Sequence, residues 1–254
     1  MSAPAAEGRM GFFEHLDELR RRLVNAAAGL ALTMGVVYAY REPIVAFLLH
    51  PYLKYLTVPA GASGLPKILS PGEGLAFDMK LSVWGGLILA APWLFFQLWG
   101  FIRPALKPRE ARVALPVFIA LGILFIAGVA FAYYFLLPPM FQFFIEYNKG
   151  RFDPVITLSS LWDLESRFLF WSGAIFELPV AAFLLGLTGL VAPGTLAKVW
   201  RFAILGAFVL GAVITPTADP INMTLMSLPI CALYFVSIGT CWAGRVMTRP
   251  KDLP

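Results

Sequence analysis

Residues 12–40 read FFEHLDELRRRLVNAAAGLALTMGVVYAY. Glu14, Asp17, Glu18 and the run Arg20, Arg21 and Arg22 crowd the first half. From Leu23 to Tyr40 there is no charge, and this is close to the length of about 20 apolar residues that crosses a bilayer as a helix. The rest of the chain is largely as apolar as this second half. Of its 254 residues 59% are hydrophobic and 14% charged, whereas a soluble domain carries roughly 25% charged residues. The apolar runs are continuous and lack the period-two alternation of a membrane barrel. The fold class is therefore all-α, a polytopic membrane protein forming one domain over residues 1–254.

Six runs are long enough to span: about 23–40, 75–101, 113–137, 164–187, 196–214 and 221–243. Basic residues orient them. One side collects Arg9 and Arg20–Arg22, then Arg103, Lys107, Arg109 and Arg112, then Lys198 and Arg201, then Arg245, Arg249 and Lys251. The other holds Arg41, Lys54, Lys67, Lys149 and Arg151. Positive charge stays on the cytoplasmic side, so both termini are expected there. The net charge of +5 reflects this anchoring and gives no reason to expect nucleic-acid binding. The outside stretches 41–72 and 138–163 mix proline, glycine and apolar residues, and read as ordered caps with short interfacial helices. The last two spans look short, the sixth because Asn222, Thr224, Ser227 and Pro229 interrupt it. Cys231 and Cys241 lie about 15 Å apart along one helix, too far for a disulfide, and read as packing residues.

Residues 11–22 form an amphipathic helix along the cytoplasmic interface, with Phe12, Phe13, Leu16, Leu19 and Leu23 on one stripe. Asp17 with Arg21, and Glu18 with Arg22, stand at i,i+4 in the favourable order. A surface helix with paired charges and a positive anchor explains the arginines well and Glu14, Asp17 and Glu18 less well. A second acid on the same side, Glu110, lies in QLWGFIRPALKPREAR (97–112), where Pro104 forces a structured turn. Pairing with Arg109 or Arg112 is one reading of Glu110. The other is a receptor, because paired carboxylates suit the planar donor fork of guanidinium.

Four stretches, FFEHLDELRRRL (12–23), QLWGFIRPALKPRE (97–110), SGAIFELPV (172–180) and ITPTADP (214–220), resemble TatC, the core subunit of the twin-arginine protein translocase. They occur in the same order and in the same six-span topology, and the first two are the specific ones. The resemblance implies recognition of twin-arginine signal peptides on folded cargo. Glu18 would sit beside Glu110 as an acidic site for two guanidinium groups, shaped by His15, Leu16, Leu19, Arg20, Arg22, Phe101, Pro104 and Leu106. It also implies single-span partners of the TatA and TatB type, a hetero-oligomer with several copies, a bacterial plasma membrane, and energy from the proton-motive force without a cofactor or metal. The chain departs from the family pattern at Ser172-Gly173, at Glu73-Gly74-Leu75 and at Met223, where the family commonly has glutamine; the last weakens a polar partner site at the start of the sixth span.

Glu177 falls in the middle of the fourth span, where a charge costs at least about 2.5–3.5 kcal/mol. One reading is a neutral glutamate bonded to a neighbouring span. The other is a polar patch for partner helices, formed by Phe176, Glu177 and Pro179, with Pro179 kinking the helix and opening a concave, partly wetted face. Asp78 and Lys80 read as snorkelling to the interface. Pro216 and Asp219 belong to the periplasmic turn, Asp219 as a turn or cap residue, and His50 reads as a structural residue of an outside loop. The chain lacks GxSxG, HExxH and paired intramembrane aspartates, so an enzyme is not expected. A proton-coupled small-solute transporter built on Glu177 is the alternative function, although the repeat symmetry it would want is missing.

Overall fold

The computed structural model describes residues 12–55, 65–103, 108–148, 156–215 and 219–248, with the backbone alone at 12, 108–115 and 248. The charged block and the apolar run of 12–40 form one helix, α1 (Phe12–Ala39). Leu, Ala, Arg and Glu are strong helix formers, and the first proline of this region is Pro43. The interfacial helix expected at 11–22 is thus no separate element but the first turns of α1. After Tyr40 the chain enters α2 (Arg41–Tyr55), which contains His50, a helix residue rather than the loop residue expected. α3 spans Glu73–Ile102.

α4 (Pro108–Phe131) runs through a π-turn at Ala132–Leu136 into α5 (Leu137–Asn148). The helix therefore continues eleven residues past the end expected at 137. Pro138 and Pro139 have no N–H to give the preceding turn. The chain absorbs the loss by widening that turn, so the Leu137 N–H bonds Ala132 five residues back. The fourth apolar run divides into α6 (Leu158–Phe176) and α7 (Leu178–Leu187), parted at Glu177. A short α8 (Pro193–Lys198) precedes α9 (Trp200–Ile214) and α10 (Pro220–Thr248).

Five apolar helical stretches are long enough to cross a membrane, and α9 is a shorter sixth. Its 15 residues reach about 22 Å, against a hydrocarbon core of about 30 Å. α10 corrects the expectation of two short helices, since it runs 29 residues. Thr224 and Ser227 fit the helix because their hydroxyls donate to the carbonyls of Pro220 (2.6 Å) and Met223 (2.7 Å). Among the described residues no β-strand forms, and one isolated bridge pairs Lys67 with Thr157.

Small residues set the helix seams. α1 lies antiparallel on α3: the Thr33 hydroxyl reaches the carbonyls of Leu30 and Gly86, both at 2.9 Å, and the Trp93 indole N–H donates to the Asn25 carbonyl at 3.1 Å. Gly128 seats against Ser172 and Gly173 where α4 meets α6, and Gly186 against Cys241 where α7 meets α10. The Ser227 hydroxyl also lies 3.2 Å from the Ala207 carbonyl of α9. The main core gathers Leu81 of α3, Leu136 and Leu137, Met140 of α5 and Phe168 of α6. Among the described residues of α1, only Val37 enters this core. Around the core, Arg41 pairs with Asp78 (3.2 Å) and Lys80 with Asp163 (3.1 Å). Asp78 and Lys80 therefore tie α2 to α3 and α3 to α6, rather than merely snorkelling.

A methyl group at Gly86 would lie 2.9 Å from the Met34 backbone. Gly86→Ala is expected to destabilise the chain by about 1–3 kcal/mol through overpacking. Gly206→Ala, where a methyl meets nothing within 4 Å, is expected to be neutral or to gain up to about 1 kcal/mol of helix propensity. Thermal unfolding of both variants in one detergent checks the contrast.

Candidate functional site

The first turns of α1 pack on the last turns of α3, and this brings the first charged motif onto residues 97–101 of the second. The His15 ring stacks on Phe101 with centroids 4.6 Å apart. Arg22 extends its guanidinium across Gly100, where any side chain would collide with it, and donates to Gln97 Oε1 at 3.3 Å. Glu18 receives Arg22 Nε at 2.7 Å and Arg21 Nη2 at 2.5 Å. Arg21, expected opposite Asp17, is thus bonded to Glu18 instead. Leu16, Leu19 and Arg20 are exposed, so the apolar stripe of this segment faces outward rather than into the bundle. Glu110 lies in the first turn of α4, and its side chain is outside the described residues. Pro104, Leu106 and Pro216 also lie outside them.

The second candidate group sits at the α6–α7 junction. Pro179, second in α7, has no N–H to continue the ladder, and the helix breaks at Glu177. The Glu177 carboxylate oxygens are both buried without a hydrogen bond, although the Phe125 backbone lies near. The Phe125 backbone of α4 is thus the part of a neighbouring span that the carboxylate meets. Phe176 packs on Phe131 at 5.4 Å, and the Thr240 hydroxyl of α10 donates to the Pro179 carbonyl at 2.6 Å, bracing the break from the other side. Asp219 caps α10: its Oδ1 accepts from the Asn222 N–H at 2.7 Å.

Two further carboxylates have roles that no motif in the sequence signals. Glu73 accepts the Leu69 N–H at 2.6 Å and the Ser159 N–H at 3.2 Å, tying the stretch before α3 to the start of α6. Glu165 of α6 is 1% exposed, and its Oε1 has no hydrogen-bond partner. No local signal separates it from a surface acid, because Asp163 and Arg167 beside it are exposed. Leucine has nearly the same volume and needs no partner, so Glu165→Leu is expected to leave thermal stability unchanged or to raise it by about 1–3 kcal/mol. Glu165→Ala leaves a void and is expected to cost about 2–5 kcal/mol. Calorimetry of the two variants checks the order.

A family model described as Sec-independent protein translocase protein (TatC) matches residues 14–229. The Sec-independent protein translocase protein TatC of Koribacter versatilis is 36% identical over 251 residues, covering 99% of this chain and 92% of the relative. That of Deinococcus radiodurans is 37% identical over 252 residues, covering 98% and 92%. A crystal structure of a twin-arginine translocase receptor, TatC, superposes with a TM-score of 0.77 at 30% identity, covering 92% of this chain and 100% of that one. These matches favour a non-enzymatic translocase component over a solute transporter built on Glu177. The matched residues take in the α1–α3 contact, the break at Glu177 and the start of α10, and the chain belongs to the TatC family of Sec-independent protein translocase proteins.

Proposed function

We propose that this chain is the signal-recognising core subunit of a twin-arginine translocase in a bacterial plasma membrane, crossing it six times with both termini cytoplasmic. The observation that carries the reading is the seating of the charged first turns of α1 on the end of α3, through His15 on Phe101 and Arg22 on Gln97. Glu18 lies in the segment that packs on the last turns of α3, and Glu110 lies in the first turn of α4, the next helix along the chain, which supports pairing the two acids. Two arginines of a signal peptide would meet this pair of acids, with Leu16, Leu19, Arg20, Pro104 and Leu106 shaping the surroundings.

Glu18 is already bonded to two cations, so binding is an exchange. The Arg21 side chain is 67% exposed, and such surface pairs contribute little. Arg22 is 25% exposed and also held by Gln97. Arg21 is therefore the partner that an incoming guanidinium displaces, while Arg22 keeps the carboxylate aimed. Two charged contacts give limited affinity, and the apolar part of the signal must add burial. Phe176, Glu177 and Pro179 form the polar patch for single-span partners of the TatA and TatB type. The bared carboxylate and the braced break support that role, and assembly of several copies follows from the small cross-section of one bundle.

A photo-crosslinkable twin-arginine peptide offered to the detergent-solubilised chain tests the receptor reading. Crosslinks are expected at the ends of α1 and α3, with affinity about tenfold weaker for Glu18→Ala, for Glu110→Ala and for a twin-lysine peptide. Equal capture of both peptides by all variants would show that these acids are interfacial ion pairs only.

A further inference from the structure

The end of the bundle opposite the α1–α3 charged site carries a feature that signal recognition does not use. Seven of the eight tyrosines fall in residues 38–55 and 133–147, at the C-terminal end of α1, on α2, and on the π-turn with α5. Tyrosine concentrates where hydrocarbon meets water, so this girdle marks an interface of the membrane. Within it, α2 and the π-turn wall a cavity of about 390 Å³. Phe47 and Tyr133 form its stacked aromatic face, 4.2 Å between centroids, fixed by the Tyr133 hydroxyl donating to the Phe47 carbonyl at 2.6 Å. Tyr134 continues the wall and is 62% exposed. His50 and Lys54, one helical turn apart on α2, join the lining with Pro51 and Pro138, and among the described residues no carboxylate is part of it.

Arg41, at the other end of α2, is neutralised by Asp78. Lys54 has no carboxylate within ion-pair distance among the described residues; its ammonium lies 5.6 Å from the Tyr55 ring centre. A positive charge, a ring N–H donor and an aromatic wall therefore converge at the level of the headgroups. We infer that this cavity is a binding site for the headgroup of an anionic phospholipid, in the leaflet opposite the α1–α3 charged site. The phosphate would meet Lys54 and the His50 ring, and the glycerol end of the acyl chains would lie on Phe47 and Tyr134. Charge complementarity selects this occupant over a zwitterionic lipid, whose own cation would be brought against Lys54. The cavity is open beside an exposed apolar surface, with Phe135 65% exposed, and this favours a lipid over free phosphate.

The test uses the full-length chain, delipidated in detergent and titrated with phosphatidylglycerol or with phosphatidylcholine of the same acyl chains, reading bound lipid by native mass spectrometry. The wild type is expected to retain phosphatidylglycerol about three- to tenfold more strongly, as suits two exposed polar contacts. The double variant His50→Ala with Lys54→Gln is expected to lose this preference, Lys54→Arg to keep it, and Lys198→Gln, at a different site, to leave it unchanged. Equal melting temperatures in phosphatidylcholine confirm that the variants fold, and Lys54→Gln alone serves should the double variant not fold. Equal retention of both lipids by the wild type, or a preference that survives the double variant, overturns the inference. Displacement of phosphatidylglycerol by millimolar inorganic phosphate also overturns it, in favour of a simple anion site.

Discussion

At position 86 the backbone of α3 meets the backbone of α1 with no side chain between them, and the geometry of the charged site depends on that approach. Helices surrounded by lipid gain nothing from hiding apolar surface from one another, so fit and hydrogen bonds must hold them. Met34 against Gly86 fixes the register. Thr33, then Trp93 on Asn25, then Arg22 on Gln97, then His15 on Phe101 follow along the same seam. From Met34 to His15 is about 28 Å of helix. The positions of Glu18 and its arginines are thus set by a steric contact far from them, deep in the apolar part of the bundle.

Much of this was legible in the residues. The apolar runs locate the helices, and the two charged motifs name His15, Arg22 and Phe101, which the α1–α3 contact gathers at one end of the seam. What hydropathy misses is direction. Leu32 and Leu81 read alike, yet one is 70% exposed and the other 1%, because lipid and protein interior are equally apolar solvents. For the same reason the apolar run of α1 is indistinguishable in sequence from a core helix, although among its described residues only Val37 enters the core. Proline was read correctly at Pro179, where the helix breaks. It was overread at Pro138 and Pro139, where a widened turn lets the helix continue. Pro229 likewise leaves α10 unbroken. The difference lies in how neighbouring carbonyls find other donors, which local composition does not reveal. The pairing of Arg21 with Glu18 instead of Asp17 is a choice between two carboxylates of equal chemistry, decided by side-chain geometry.

Glu165 and Glu177 show how one residue type takes two structural roles along one apolar stretch. Glu177 stands where the helix is interrupted, so its backbone is already irregular and both its oxygens lack bonds. Glu165 sits inside unbroken α6, shut in the core with one oxygen orphaned. A polar group in such surroundings is costly wherever it is. At the break the cost falls on a place where another helix could still supply a donor. In the core no approach remains open, so Glu165 is a burden on stability rather than a means of contact.

The small share of α1 in the core bears on how the protein is made. α1 is complete about 60 residues before the end of α3 leaves the ribosome, an interval of about 3–12 s at ordinary synthesis rates of 5–20 residues/s. A helix that depended on its neighbours would spend that time with polar groups bare in lipid. α1 does not, because the Thr33 hydroxyl has the Leu30 carbonyl of its own helix within reach before Gly86 arrives, and the other uncharged faces are already suited to hydrocarbon. The first helix can therefore wait alone in the bilayer, and its later docking on α3 only re-aims a hydrogen bond that was never missing.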